Sequence, residues 1–454
     1  MEKGSATNTK TRRGFLADLA HPKPNPVPMT MRTGAHGERV SILGYGAMRL
    51  PTKDGGHATG RAGKPGAGAS SAAIDQDAVN AHVDYALANG LNYFDTAPVY
   101  CMGRSERVLG DALSRHPRNS YFLATKLSNF NESLWSFEKS KGMFETSLKN
   151  LRTDYFDFYL LHSIGNGGFK TFSKRYLENG VLDWLVERRA AGCIRNLGFS
   201  FHGDPRAFEW CMENHAKYHW DFCQIQMNYV DWLHAKEVND RNLNAKYLYE
   251  SLVSKGIPVI VMEPLLGGRL ARFNYAMASK LKSMDASVSL ASWAFRFCGT
   301  YPKVLTILSG MTYMEHLQEN VATFSPLKPL AKKELDALET VARLMLQNKT
   351  VPCNLCQYCM PCPYGIDIPG VFDCWNTACT GDRLPDDPSA AAYVANRRRF
   401  LKEYDAAMPH LRQAEHCIGC GRCVPHCPQR IDIPKQMSEI DLQVAQWRKE
   451  ERHV

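Results

Sequence analysis

The sequence predicts an α/β protein: a closed parallel (β/α)8 barrel followed by a small, mostly helical unit. Three observations predict it. Short apolar-aromatic runs alternate with amphipathic stretches of helical period, eight of each, from residue 40 to residue 323. Several of these runs end on a single ionisable residue, as strands feeding a catalytic face do. Beyond Pro329 the alternation stops and cysteines appear in two tight repeats. At 454 residues the chain exceeds one average domain, so two units are expected.

Residues 1–37 read as a flexible leader, 38–325 as the barrel and 326–454 as the cysteine-bearing unit. Val40 to Leu50 reads as the first barrel strand, with a glycine-rich exit. Residues 54–73 are a Gly/Ala/Ser-rich insertion without periodicity, predicted to be a loop. Asp75 caps a helix that stops at Gly90. Strands then follow at 91–95, 121–126, 156–162, 194–200, 221–227, 257–262 and 303–309. The intervening helices fall at 104–115, 134–150, 180–191, 205–216, 244–255, 287–298 and 313–323. A long loop at 163–180 interrupts the rhythm. The length suits a TIM barrel better than an open sheet.

Three strand ends carry the chemistry. Asn92-Tyr93-Phe94 runs into Asp95, with Tyr100 five residues on; Phe122 to Thr125 runs into Lys126; Phe156 to Leu161 runs into His162. A phenol is a poor acid at neutral pH because its ordinary pKa is about 10. A nearby ammonium favours phenolate, so Lys126 is expected to pull the Tyr100 pKa down, with Asp95 holding the lysine. A neutral His162 can hydrogen-bond a carbonyl oxygen beside the tyrosine.

Phe94-Asp95-Thr96-Ala97…Tyr100, Ser105-Glu106…Leu109-Gly110, Thr125-Lys126 and Leu160-Leu161-His162 resemble the aldo-keto reductase family over residues 38–325. The resemblance implies that Asp95, Tyr100, Lys126 and His162 form a catalytic tetrad and that NAD(P)H donates hydride to an aldehyde or ketone. It further implies cofactor contacts from Ser200, Gln224, Glu319 and Asn320, with Met262 where the family commonly stacks an aromatic ring on the nicotinamide. The sequence departs from the family pattern there, at Phe201 in place of asparagine, and at Gly310 and His316 in place of basic residues.

The tail contains Cys353-x2-Cys356-x2-Cys359-x2-Cys362-Pro363 and Cys417-x2-Cys420-x2-Cys423-x3-Cys427-Pro428. Each run continues into a matching stretch, Ile366-Asp367-Ile368-Pro369 and Ile431-Asp432-Ile433-Pro434, which marks an internal duplication. The second run fits the bacterial ferredoxin spacing, in which the cysteine before proline crosses to the other cluster. Cys353, Cys356, Cys359 and Cys427 are therefore assigned to one [4Fe-4S] cluster, and Cys417, Cys420, Cys423 and Cys362 to a second. Structural zinc would need only four cysteines per site. With helices expected at 332–347 and 390–406, the tail resembles the helical dicluster ferredoxin domains of larger oxidoreductases.

Composition limits the partners. A net charge of +9 without a basic stripe argues against nucleic acid, and no apolar run reaches membrane-span length. Arg12-Arg13 resembles a twin-arginine export motif but lacks the following apolar stretch. Fifteen cysteines, seven of them scattered, fit a reducing compartment, so a cytoplasmic location is expected. The expected partners are a small-molecule carbonyl substrate and a redox protein. The alternative reading is an iron–sulfur electron-transfer subunit whose barrel is a non-catalytic docking scaffold.

Overall fold

The computed structural model describes residues 25–58, 72–238, 242–347 and 349–452. Arg12-Arg13 and most of the 54–73 insertion lie outside the described residues. Eight parallel strands close the barrel: β1 (Leu43–Gly46), β2 (Tyr93–Asp95), β3 (Phe122–Leu127), β4 (Phe156–Ile164), β5 (Ile194–Phe201), β6 (Phe222–Gln226), β7 (Val259–Met262) and β8 (Val304–Ser309). The pairing Leu308↔Gly44 shuts the ring between β8 and β1. Eight outer helices alternate with them: α1 (Gln76–Ala88), α2 (Ser105–Leu113), α3 (Phe137–Leu151), α4 (Val181–Ala190), α5 (Pro205–Glu213), α6 (Ala245–Ser254), α7 (Leu290–Thr300) and α8 (Met314–Thr323). Asp75 caps α1 through the Ala78 N–H, as its sequence position suggests.

The first strand differs from expectation. Val40 to Leu50 splits, because Ser41 Oγ turns back on Leu43 O (2.7 Å) and Asn92 Oδ1 accepts the Ser41 N–H (2.8 Å). Arg39–Ser41 therefore pairs antiparallel with Met31–Thr33, drawing part of the expected flexible leader into a hairpin, and only Leu43–Gly46 enters the barrel.

Period-two alternation decides what faces the barrel axis. One buried cluster contains Tyr93, Ala124, Phe158, Leu160, Phe222, Ile260 and Leu308. Two residues further along the same strands stand Asp95, Lys126, His162, Gln224 and Met262. The apolar layer is thus the floor of the ring that carries the polar groups. Gly198 makes room in that layer, since a Cβ there would lie 2.7 Å from the Phe222 ring.

The tail comprises α9 (Lys332–Gln347), α10 (Ile368–Thr380), α11 (Tyr393–Ala407) and α12 (Ile433–Glu451). Leu338, Val341, Ala342 and Met345 of α9 join the core of the barrel, whereas a separate core begins at Val351. The duplicated Ile-Asp-Ile-Pro stretches have one physical purpose. Asp367 caps α10 and Asp432 caps α12, with proline in the first turn of each and the isoleucines buried in the second core. The tail covers the C-terminal mouth of the barrel. Arg49 Nη2 donates to Asn354 O (2.7 Å), Arg269 Nη2 to Thr350 Oγ1 (2.8 Å), and the Gln226 and Gln429 amides exchange bonds of 3.2 and 2.8 Å.

Candidate active site and cysteine cages

Asp95, Lys126 and His162 stand at the ends of β2, β3 and β4, and Tyr100 opens a short turn beyond β2. The structure brings the four together in one cavity of about 700 Å³. Lys126 Nζ donates to Asp95 Oδ1 (2.5 Å) and to Thr96 O (2.8 Å), and lies 4.9 Å from the Tyr100 ring centroid. The Tyr100 and His162 rings meet edge to face at 5.9 Å. Ser128 Oγ sits 2.6 Å from His162 Nδ1 and fixes the plane of the imidazole.

Burial dominates the electrostatics. It pushes the Lys126 ammonium down and the Asp95 carboxyl up, and each partner partly offsets the shift of the other. Burial also holds the Tyr100 phenol well above its ordinary value, and Tyr358, Asp95 and Glu263 add in the same direction. This corrects the expectation that Lys126 brings the phenol toward neutrality. The lysine spends its charge on Asp95 and lies over the face of the ring. Tyr100 consequently stays protonated at neutral pH, the state a proton donor requires.

The cavity extends from the four residues toward β5–β8. Ser200, Gln224, Met262, Glu319 and Asn320 all line it. Ser200 Oγ already accepts the Ser163 N–H (2.7 Å), and Asn320 Nδ2 donates to Ser309 Oγ (3.0 Å). Gln224 Oε1 is buried without a partner among the described residues, which marks it for an external N–H donor.

In the tail, Cys353, Cys356, Cys359 and Cys427 line one small void, walled by Ile368, Phe372, Ile431 and Ile433. The Leu355 N–H points at Cys353 Sγ and the Ile431 N–H at Cys427 Sγ, both at 3.4 Å. Four thiols, an apolar shell and N–H···S bonds are the donor set a [4Fe-4S] cluster takes. Burial raises Cys353 to about 12, with the Cys427 thiol adding. Cys423 is raised to about 11 by burial, with Cys417, Cys362 and Cys420 as neighbouring thiols. Cys427 and Cys362 thus each sit with the other run's cysteines. Cys420 is exposed.

Several site residues went unnoticed in the sequence. Ser128 stands two positions past Lys126, so the period of the strand marks it. Arg175 carries no such signal; the stretch expected to be a loop is helical over Phe169–Leu177, where Arg175 is buried, donates to His162 O (2.8 Å) and stacks on Phe130, which packs on His162 at 4.8 Å. Glu263 follows β7, is pushed up by burial and accepts the Gly267 N–H (2.8 Å). Asn354, Cys356 and Tyr358 of the first cysteine run also line the barrel cavity.

Residues 43–343 match the sequence profile of the Aldo/keto reductase family, and residues 413–431 that of a 4Fe-4S binding domain. Over 71% of this chain and 97% of the relative, the sequence is 26% identical to L-galactose dehydrogenase of Arabidopsis thaliana. It is also 26% identical to a methylglyoxal reductase of Escherichia coli, over 51% of this chain and 74% of that one. Among solved structures, an aldo-keto reductase from Bacillus halodurans in its holo form superposes with a TM-score of 0.53 at 22% identity, covering 69% of this chain and 96% of that one. Among the described residues no helix is long and apolar enough to cross a membrane.

Proposed function

The chain belongs to the aldo/keto reductase family and is an oxidoreductase with a 4Fe-4S binding domain, and from that premise we propose that it reduces an aldehyde or ketone with NAD(P)H. Tyr100 donates the proton to the carbonyl oxygen. Lys126 and Asp95 hold the phenol in place, and His162, pinned by Ser128, orients the carbonyl. Bound NAD(P)H supplies the hydride. Gln224, with its unpaired oxygen, and Ser200 and Met262 would hold the nicotinamide, and Glu319 and Asn320 the adenine.

Two [4Fe-4S] clusters complete this reading: one on Cys353, Cys356, Cys359 and Cys427, the other on Cys362, Cys417, Cys420 and Cys423. When bound, these clusters would supply one-electron chemistry, and exposed Cys420 would give a redox partner protein access to the second. The thiol-rich composition, with eight cysteines in cluster-ligand spacing, supports a reducing, cytoplasmic setting.

The observation that carries the proposal is the convergence of Tyr100, Lys126, Asp95 and His162 at the floor of one cavity. Tyr100→Phe tests it. Carbonyl-dependent NADPH oxidation is expected to fall by about 10²–10⁴-fold, the usual worth of a positioned general acid. Unchanged turnover would remove the proposal.

A further inference from the structure

The wall of the carbonyl cavity is not built by the barrel alone. Asn354, Cys356 and Tyr358, from the first cysteine run, and Pro428, from the second, complete it. The loop that carries the first three is held in an unusual shape. Leu355 (φ 56°) and Gln357 (φ 62°) both adopt the left-handed region on either side of Cys356, a conformation that persists only where the surroundings impose it.

Those surroundings come from both domains. On the barrel side, Arg49 clamps Asn354 O, and Gly267 packs so closely that a Cβ there would lie 2.5 Å from Asn354 Cα. On the tail side, Cys353, Cys356 and Cys359 face the void they share with Cys427. Tyr358, two residues past Cys356, lines the same cavity as Tyr100 and Phe130. Phe130 packs on His162. One aromatic side chain from each domain therefore stands beside the proton donor and the imidazole.

We propose that Tyr358, delivered to the cavity by the first cluster loop, is a substrate-contacting residue that sets which carbonyl substituents fit beside Tyr100. The preferred substrate carries a bulky carbonyl substituent with an apolar face, to lie against the rings of Tyr358 and Phe130. The tail is then part of the carbonyl site and not a tethered electron carrier only. This rests on the reductase reading, and its failure is distinguishable. That reading fails if Tyr100→Phe keeps activity; this one fails with Tyr100 essential and Tyr358 without effect.

The test uses the full-length holoprotein with Tyr358→Ala, Tyr358→Phe and Tyr358→Trp. Small aliphatic and bulky aryl or alicyclic aldehydes and ketones are assayed side by side. Iron content, visible absorbance and the NADPH dissociation constant are measured on each variant, to show that the cages and the dinucleotide site are intact. Tyr358→Ala is expected to raise KM for the best, bulky substrates at least tenfold and to move the bulky-to-small ratio of kcat/KM by at least tenfold toward small. Tyr358→Trp is expected to shift that ratio the opposite way, and Tyr358→Phe to keep it within threefold of wild type. A merely structural role would lower all substrates together and leave the ratio alone. If Tyr358→Ala loses iron, the Trp and Phe variants decide. An unchanged ratio in every iron-replete variant overturns the proposal.

Discussion

The two cysteine runs are copies of one pattern that ended in opposite environments. The first packs against the mouth of the barrel. Cys353, Cys356 and Cys359 face an apolar void, Cys356 also borders the carbonyl cavity, and burial drives the Cys353 thiol to about 12. The second touches the barrel only at its end, through Pro428 and Gln429, and leaves Cys420 and neighbouring Ile418 exposed. Spacing alone makes both sets competent to hold a cluster. What separates them is the neighbour: a loop that Arg49 and Gly267 seat in the barrel mouth, against a loop that faces water. Solvent exposure and nearby hydrogen bonds are levers on cluster potential and access, so near-identical ligand sets need not have equivalent roles.

The largest effect expected from this difference is kinetic. Cys356→Ser and Cys420→Ser should each remove about four irons, the content of one cubane. Cys356→Ser should then lower carbonyl kcat/KM at least tenfold more than Cys420→Ser does, because Cys356 itself borders the cavity whereas Cys420 is exposed. Equal losses in the two variants would erase the distinction drawn above.

A second, smaller effect tests the seat of the first run. Gly267 has φ +66° and faces Asn354, whereas Gly268 has φ +96° and nothing within 4 Å of its would-be Cβ. Gly268→Ala incurs backbone strain alone, on the order of 1–2 kcal/mol. Gly267→Ala adds a clash with the cluster loop and should cost about 2 kcal/mol more by denaturant unfolding. Matching stabilities for the two variants would mean that the loop is not seated as described.

The smallest effect concerns the barrel scaffold. His82, buried beside Tyr45, is lowered to about 4, first by burial. Its folded pKa lies below the unfolded value of about 6.5, so the unfolded chain takes up the proton first as pH falls. The associated stability is present above pH 6.5 and drains away toward pH 4. Between pH 7 and pH 5, wild type should lose about 2 kcal/mol more than His82→Asn, since the drift of other groups cancels in that difference. A parallel pH dependence in the two proteins would contradict a neutral, buried His82.

Much of this molecule was legible in its residues. The barrel follows from alternation, and its polar ring from strands whose inward positions run from Tyr93 to Asp95, from Ala124 to Lys126 and from Leu160 to His162. Ser128 was equally available to that logic. The break at Ser41 was not, because it depends on Asn92, 51 residues away, taking a backbone N–H from the strand. The direction of the Tyr100 pKa shift was misjudged for a similar reason. A lysine next to a phenol lowers its pKa only if its charge is not already spent, and whether Lys126 meets the hydroxyl or the ring face is a matter of packing.

Local order determined the barrel, the duplicated cysteine turns and the Asp-capped helices that follow them, since a strand period, a ligand spacing and a cap each act over a few residues. Tertiary structure alone decided that Cys356 of the first run would border the carbonyl cavity while Cys420 of the second would face solvent. That outcome depends on contacts such as Arg49 with Asn354 and Gln226 with Gln429, whose partners lie 305 and 203 residues apart. No local pattern encodes such a pairing, because its energy exists only once both surfaces have formed.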